Sequence, residues 1–177
     1  MNPLQLILGD EEFLIDRATS SIIRAVRSTM QSNPEELPIT KLRAGDVTPS
    51  EISELLSPSL FAEDRVVILA AAGEAGKEAV STIEQAVKEP APGVVLIVIH
   101  SGGGRAKNLV KILKNAGADV TECPKLTKFS EREDFVVNEF RNLGVRPSRD
   151  TVHALLDAIG GDLRELCLLY TSPSPRD

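Results

Sequence analysis

The carboxylate run Asp10-Glu11-Glu12 follows Gly9 at the first junction between an apolar run and a helical pattern. In open α/β folds this junction is a usual place for phosphate or metal chemistry. A nucleotide-hydrolysing loop needs G-x-x-x-x-G-K-[ST] there, so that backbone amides, a lysine and a hydroxyl surround phosphate and magnesium. Gly9-Asp10-Glu11-Glu12-Phe13 supplies three carboxylates instead, and these repel a triphosphate. Their structural reading is that Asp10 caps the helix while Glu11 and Glu12 favour its positive end. A receiver-type magnesium site built from them would also need an acceptor aspartate after the third strand, where Ala70-Ala71-Ala72 stands.

A second glycine-rich stretch, Ser101-Gly102-Gly103-Gly104-Arg105-Ala106-Lys107-Asn108, lacks both the lysine–hydroxyl pair and the glycine spacing of a phosphate loop. Arg105 and Lys107 could meet a phosphate or an acidic partner, but a flexible turn with solvated basic residues is the simpler reading. The only histidines, His100 and His153, have no nucleophile tied to them by spacing. Cys123, at a strand end, reads as buried rather than reactive. Cys123 and Cys167 lie far apart, without CxxC or Cys/His spacing, so neither a disulfide framework nor a zinc site is expected. No catalytic residue, metal or cofactor is predicted.

The elements that must position these residues alternate. Apolar runs predict strands at Leu4 to Leu8, Pro38 to Leu42, Arg65 to Ala70, Val94 to His100 and Asp119 to Cys123. Between them, helices are predicted over Glu11 to Gln31, with Leu14, Ala18, Ile22, Val26 and Met30 on one face, then to Leu56, over Lys77 to Lys88 and over Lys107 to Ala116. Thr48-Pro49-Ser50-Glu51 has the form of a capping box with proline at the first helical position. Near-continuous apolar strands joined by helices imply a doubly wound, mostly parallel sheet covered on both faces. After Pro124 only helical patterns remain. Ser130-Glu131-Arg132-Glu133 suggests a capping box for a helix ending at Gly144, and Ser148 a cap for one ending at Gly160-Gly161; a third starts at Asp162. The organisation expected is an α/β domain over 1–126, a partial helical lid over 127–168, and a foreign-looking tail over 169–177 rich in proline and hydroxyl residues.

In 177 residues there are 26 acidic and 20 basic side chains, a net charge of −6. Self-sufficient DNA binding usually rests on a basic surface, so the balance favours a protein partner while leaving room for a local basic strip. No apolar run reaches membrane-spanning length, and the first residues lack a secretory pattern. The expected location is cytoplasmic.

Between a helix and the third strand lies Ser57-Pro58-Ser59-Leu60-Phe61-Ala62-Glu63-Asp64-Arg65. Adjacent apolar residues in a polar connection cannot both follow one buried helix face. Leu60 and Phe61 either tuck under the sheet or project as an anchor for a partner's apolar pocket, and pattern alone leaves both open. This segment, the opening Leu6-Ile7-Leu8-Gly9-Asp10-Glu11-Glu12-Phe13-Leu14 and the later Gly161-Asp162-Leu163-Arg164-Glu165-Leu166 together resemble delta subunits of bacterial DNA polymerase III, in order over about residues 4 to 166. The resemblance implies an AAA+-like (RecA-like) domain without a working phosphate loop, followed by a lid, in a clamp loader of DNA replication. It implies that Leu60 and Phe61 enter the hydrophobic pocket of the β sliding clamp, and that Arg164 stands at a nucleotide-sensor position made vestigial by the missing loop. It further implies clamp opening without ATP hydrolysis, other clamp-loader subunits as partners through a C-terminal collar that this chain lacks, and DNA contact within the assembled loader. The polymerase activity would belong to the holoenzyme. Two rivals remain: a nucleotide-binding AAA+/RecA-like ATPase with an atypical phosphate loop, and a generic protein-interaction α/β domain.

Overall fold

Alternate side chains of the central strands feed two different cores. In the computed structural model, which describes residues 1–29, 36–58, 64–160, 162–165 and 168, the strands are β1 (Leu4–Gly9), β2 (Ile39–Arg43), β3 (Arg65–Ala70), β4 (Val94–His100) and β5 (Asp119–Cys123). They form one sheet in the order β2-β3-β4-β1-β5, and every neighbouring pair is parallel. Four helices alternate with them: α1 (Glu12–Thr29), α2 (Pro49–Leu56), α3 (Lys77–Lys88) and α4 (Asn108–Asn115).

Leu4 and Leu6 of β1, Val67 and Leu69 of β3, and Leu96 and Val98 of β4 pack with residues of α2, α3 and α4, including Ile52, Ile83 and Leu109. Ile7, Val66, Ile68 and Ile97 belong to a second cluster with Leu14, Ala18, Ile22 and Val26 of α1. A strand buried on both faces has no polar side to alternate with, which is why β1, β3 and β4 read as continuous apolar runs. The outer strands are different. β2 carries Lys41 and Arg43, β5 carries Asp119 and Glu122, and both are largely exposed. Charges on edge strands discourage pairing with another chain. The doubly wound α/β core is present, with a sheet that is wholly parallel.

Local signals account for most boundaries. The Thr48 hydroxyl accepts from Glu51 N, and the Glu51 carboxylate accepts from Thr48 N at 2.8 Å, completing the expected capping box with Pro49 at the first helical position. α1 begins one residue later than expected, at Glu12. The expected end of α1 at Gln31, and Met30 on its apolar face, lie outside the described residues.

Residues Met1–Pro124 and Lys125–Asp177 are separate compact units. In the second, α5 (Phe129–Asn142) and α6 (Arg149–Ile159) pack through Val136, Val152 and Leu156. The capping box expected from Ser130 and Glu133 is corrected here. The helix starts at Phe129, and Glu131 accepts from the backbone N–H groups of Thr127 and Lys128, both at 3.1 Å. Ser130 therefore falls inside the first turn. After α5, Gly144 at φ +75 allows Gly144 N to donate to Arg141 O and Val145 N to Phe140 O, a Schellman closure. Ser148 caps α6 by accepting from Thr151 N.

Candidate functional site

At the β1–α1 junction, where a phosphate loop would offer its amides, those donors are already committed. Asp10 N and Glu11 N both donate to the Cys123 carbonyl at 3.1 Å. Gly9 makes this closure possible: it sits at φ +145, and a Cβ there would lie 2.0 Å from Cys123 O. Cys123 itself is buried, and burial pushes its thiol pKa up, away from the reactive thiolate. Glu12 occupies the first turn of α1, as the helix dipole favours.

The loop after β4 is not the flexible turn expected from its glycines. His100 is fully buried; its Nδ1 accepts from Gly102 N at 2.8 Å, which leaves Nε2–H to donate to Ala106 O at 3.1 Å. The ring is thus held as one neutral tautomer with both nitrogens satisfied. Across from it, a 3₁₀ turn at Ala72–Glu74 follows Ala71, a non-glycine residue at φ +51. Gly73 and Gly104 are in backbone contact, since a Cβ on Gly104 would lie 2.5 Å from Gly73 O. Ala106 N and the Arg105 side chain tie the loop to the same turn through Gly73 O and Glu74 O, the latter at 2.6 Å. Arg43 closes the cluster with a bidentate pair to the Glu74 carboxylate, both contacts at 2.8 Å. That fork holds the Glu74 carboxyl below its usual range. No local pattern signals this cluster, because Arg43 and Glu74 are 31 positions apart, as are Glu74 and Arg105.

At the opposite edge of the sheet, the connection carrying the apolar pair is pinned at its base. The Arg65 guanidinium donates to the Ser57 carbonyl, and Arg65 N donates to Gly93 O at 2.8 Å. The two ends of the 58–64 connection are therefore held together where β3 begins. Leu60 and Phe61 lie outside the described residues.

In the second unit, His153 is tied to a partner that spacing did not reveal. Its Nε2 lies 3.3 Å from Glu133 Oε1, which also accepts from Arg149 Nε at 3.2 Å. Phe129 meets the imidazole edge-on at 5.1 Å. The Arg149 hydrogen bond is the main reason that the Glu133 carboxyl titrates below its ordinary range. Residues 163–165 are helical, with Asp162 Oδ1 accepting from Arg164 N at 2.8 Å, and Arg164 is exposed. Gly161, Leu166 and Cys167 lie outside the described residues. Among those that are described, no group of three or more His, Cys, Asp or Glu side chains could hold a metal ion, and no helix is long and apolar enough to cross a membrane.

The family model for the DNA polymerase III delta subunit matches residues 6–124. Among solved structures, the Bacillus subtilis DNA clamp loader delta protein superposes with a TM-score of 0.69 at 22% identity, covering 97% of this chain and 55% of that one. The chain thus spans about half the length of this solved relative, and the likeness is one of fold. The Thermotoga maritima RuvB Holliday junction branch migration motor gives a TM-score of 0.47 at 11% identity, over 80% of this chain and 44% of that one. Among curated protein sequences none matches. The family match covers most of the α/β unit, including β1 with its closed junction and the connection from Ser57 to Arg65, and it shows that the chain belongs to the DNA polymerase III delta-subunit family.

Proposed function

We propose that this chain binds and opens the β sliding clamp as the delta subunit of a clamp loader in cytoplasmic DNA replication. The observation that carries this reading is the family match over residues 6–124, which includes Leu60 and Phe61. In this reading the α/β unit, residues 1–126, is the clamp-binding domain. Residues 127–168 are part of a lid, and 169–177 are a foreign-looking tail. Leu60 and Phe61 fill an apolar pocket on the ring. Fully burying each contributes roughly 1.5–3 kcal/mol, enough for both to be hot spots of a small interface. The Arg65–Ser57 contact supports the role by fixing the base from which the pair is presented.

Opening follows from differential binding: the chain shifts the ring toward the open state only by as much as it binds that state more tightly than the closed one. The five-stranded parallel sheet, whose β3 begins at Arg65, favours such discrimination. ATP work belongs to neighbouring loader subunits, and polymerase activity to the holoenzyme. Closure of the β1–α1 junction on Cys123 O supports this division, because the amides that would hold phosphate are occupied. Arg164 is then a vestigial sensor. Contact with the other subunits runs through a C-terminal collar domain. DNA contact within the assembled loader is supported by the exposed Lys107, Lys111 and Lys114, which recur along one side of α4.

Titrating the cognate clamp with this chain, with and without ATP, tests the reading. Binding with the same affinity in both conditions is the expected result. Strict dependence on ATP, or no binding by a folded chain, would return the atypical ATPase to first place.

A further inference from the structure

The chain leaving α5 closes back on that helix, and two arginines, one from each side of the closure, line a single hollow. Val137 and Arg141 of α5 form one wall, and Gly144, Val145, Arg146 and Pro147 form the other, around a volume of about 590 Å³. Ligand-sized clefts span about 300–1,000 Å³. The walls are set by backbone. Gly144 N donates to Arg141 O and Val145 N to Phe140 O, both at 2.9 Å, Gly144 sits at φ +75, and Pro147 has its φ fixed by the ring. An incoming group therefore has little of this loop left to order.

Arg141 and Arg146 are exposed, neither side chain has an acceptor among the described residues, and no carboxylate lines the hollow. The helix dipole accounts for Arg141, which stands in the last turn of α5. It does not account for Arg146. That residue stands two positions before Ser148, the N-cap of α6, where the positive end of the helix disfavours a cation. Arg149 lies at the same end but is paired with Glu133. A cation set against the local dipole, without a counter-charge, breaks a rule of local consistency in the way that binding sites do. Guanidinium forks suit carboxylate and phosphate oxygens alike. Two observations favour the carboxylates of a protein. The lining is mixed, with Val137, Val145 and Pro147 beside the guanidiniums and Leu143, 55% exposed, next to them in the chain; arginine among apolar side chains is the composition of a protein interface centre. Nucleic acid, by contrast, is held by many basic groups at once, and over residues 125–165 acidic side chains outnumber basic ones.

We infer that this hollow is a docking site for an acidic segment of a partner protein. One carboxylate of the segment sits on the forks of Arg141 and Arg146, and a neighbouring apolar side chain rests on Val137, Val145 and Pro147. The site lies outside residues 6–124, and it goes beyond the clamp-binding reading without resting on it.

The test titrates the full chain into a fluorescein-labelled peptide of alternating glutamate and leucine, and into its counterpart with glutamine at every glutamate. Arg141→Gln/Arg146→Gln is the test variant. Arg24→Gln/Arg27→Gln, on exposed positions of α1, makes the same charge change elsewhere, and thermal midpoints check folding. The parent binds the glutamate peptide at least about tenfold more tightly than the glutamine one. Arg141→Gln/Arg146→Gln removes that preference, and Arg24→Gln/Arg27→Gln keeps it. In NMR spectra of the parent, the glutamate peptide shifts the Nε–H resonances of Arg141 and Arg146 and the methyl resonances of Val145. No binding by the folded parent, equal affinity for the two peptides, or a preference that survives loss of both guanidiniums overturns the proposal. A short DNA duplex that binds more tightly than the glutamate peptide, and loses that affinity in Arg141→Gln/Arg146→Gln, also overturns it and assigns the hollow to nucleic acid.

Discussion

Replacing His100 with phenylalanine keeps most of the buried ring and deletes both of its polar atoms. The imidazole now takes a hydrogen bond from Gly102 N at 2.8 Å and gives one to Ala106 O at 3.1 Å, and Ala106 is only 1% exposed. Each buried group left unpaired costs a desolvation penalty of about 1–3 kcal/mol, which replaces the smaller net worth of the bond itself, so the two together cost about 2–6 kcal/mol. Partial relaxation toward solvent at Gly102 keeps the total toward the lower half, roughly 2–4 kcal/mol. Against a typical stability of about 5–15 kcal/mol this is a large fraction. Urea unfolding followed by circular dichroism measures it as a lower midpoint at unchanged slope. His100→Gln, which can keep one of the two bonds, falls between the parent and the phenylalanine variant. A His100→Phe chain within about 0.5 kcal/mol of the parent would refute the view that this ring staples the 101–106 loop to the sheet, because that is the range of surface changes touching nothing.

Gly9→Ala places a methyl 2.0 Å from Cys123 O at a φ of +145; the junction must rearrange, and unfolding should show a loss of at least about 2 kcal/mol. Thr48→Ala removes one half of the α2 capping box, with an expected cost of about 1 kcal/mol in the same assay. The Glu133 carboxyl is held low chiefly by Arg149, so its folded pKa lies below its unfolded one. Its contribution to stability is therefore complete above the unfolded value and disappears as pH falls through the lowered folded one. Arg149→Ala should move the Glu133 carboxyl resonance, followed by NMR titration, upward toward the ordinary glutamate range; an unmoved titration would rule out that cause.

Much of the fold could be read from local pattern. β3, β4, β5 and α3 fall on the residues predicted, because their apolar periods are bounded by breakers such as Pro90-Ala91-Pro92-Gly93. The Thr48 cap also depends only on neighbours three positions apart. Interactions between distant residues were not legible. Glu133 looked like a capping residue of its own helix, yet its carboxylate pairs with Arg149 and His153 of the next one. The 101–106 loop looked loose, but its order comes from Gly73, Glu74 and His100, and a glycine run carries no sign of the surface it packs on. Leu60 and Phe61 are the extreme case. An apolar pair in a polar connection fits a buried or a projecting role equally well, so family resemblance rather than periodicity singled them out.

The most direct test of the central claim is calorimetric titration of the cognate β clamp with this chain, comparing the parent with Leu60→Ala/Phe61→Ala. If the pair fills the ring's pocket, truncating both side chains removes about 3 kcal/mol or more, a loss of affinity of at least about a hundredfold. A folded double variant that binds the clamp as tightly as the parent would contradict the claim.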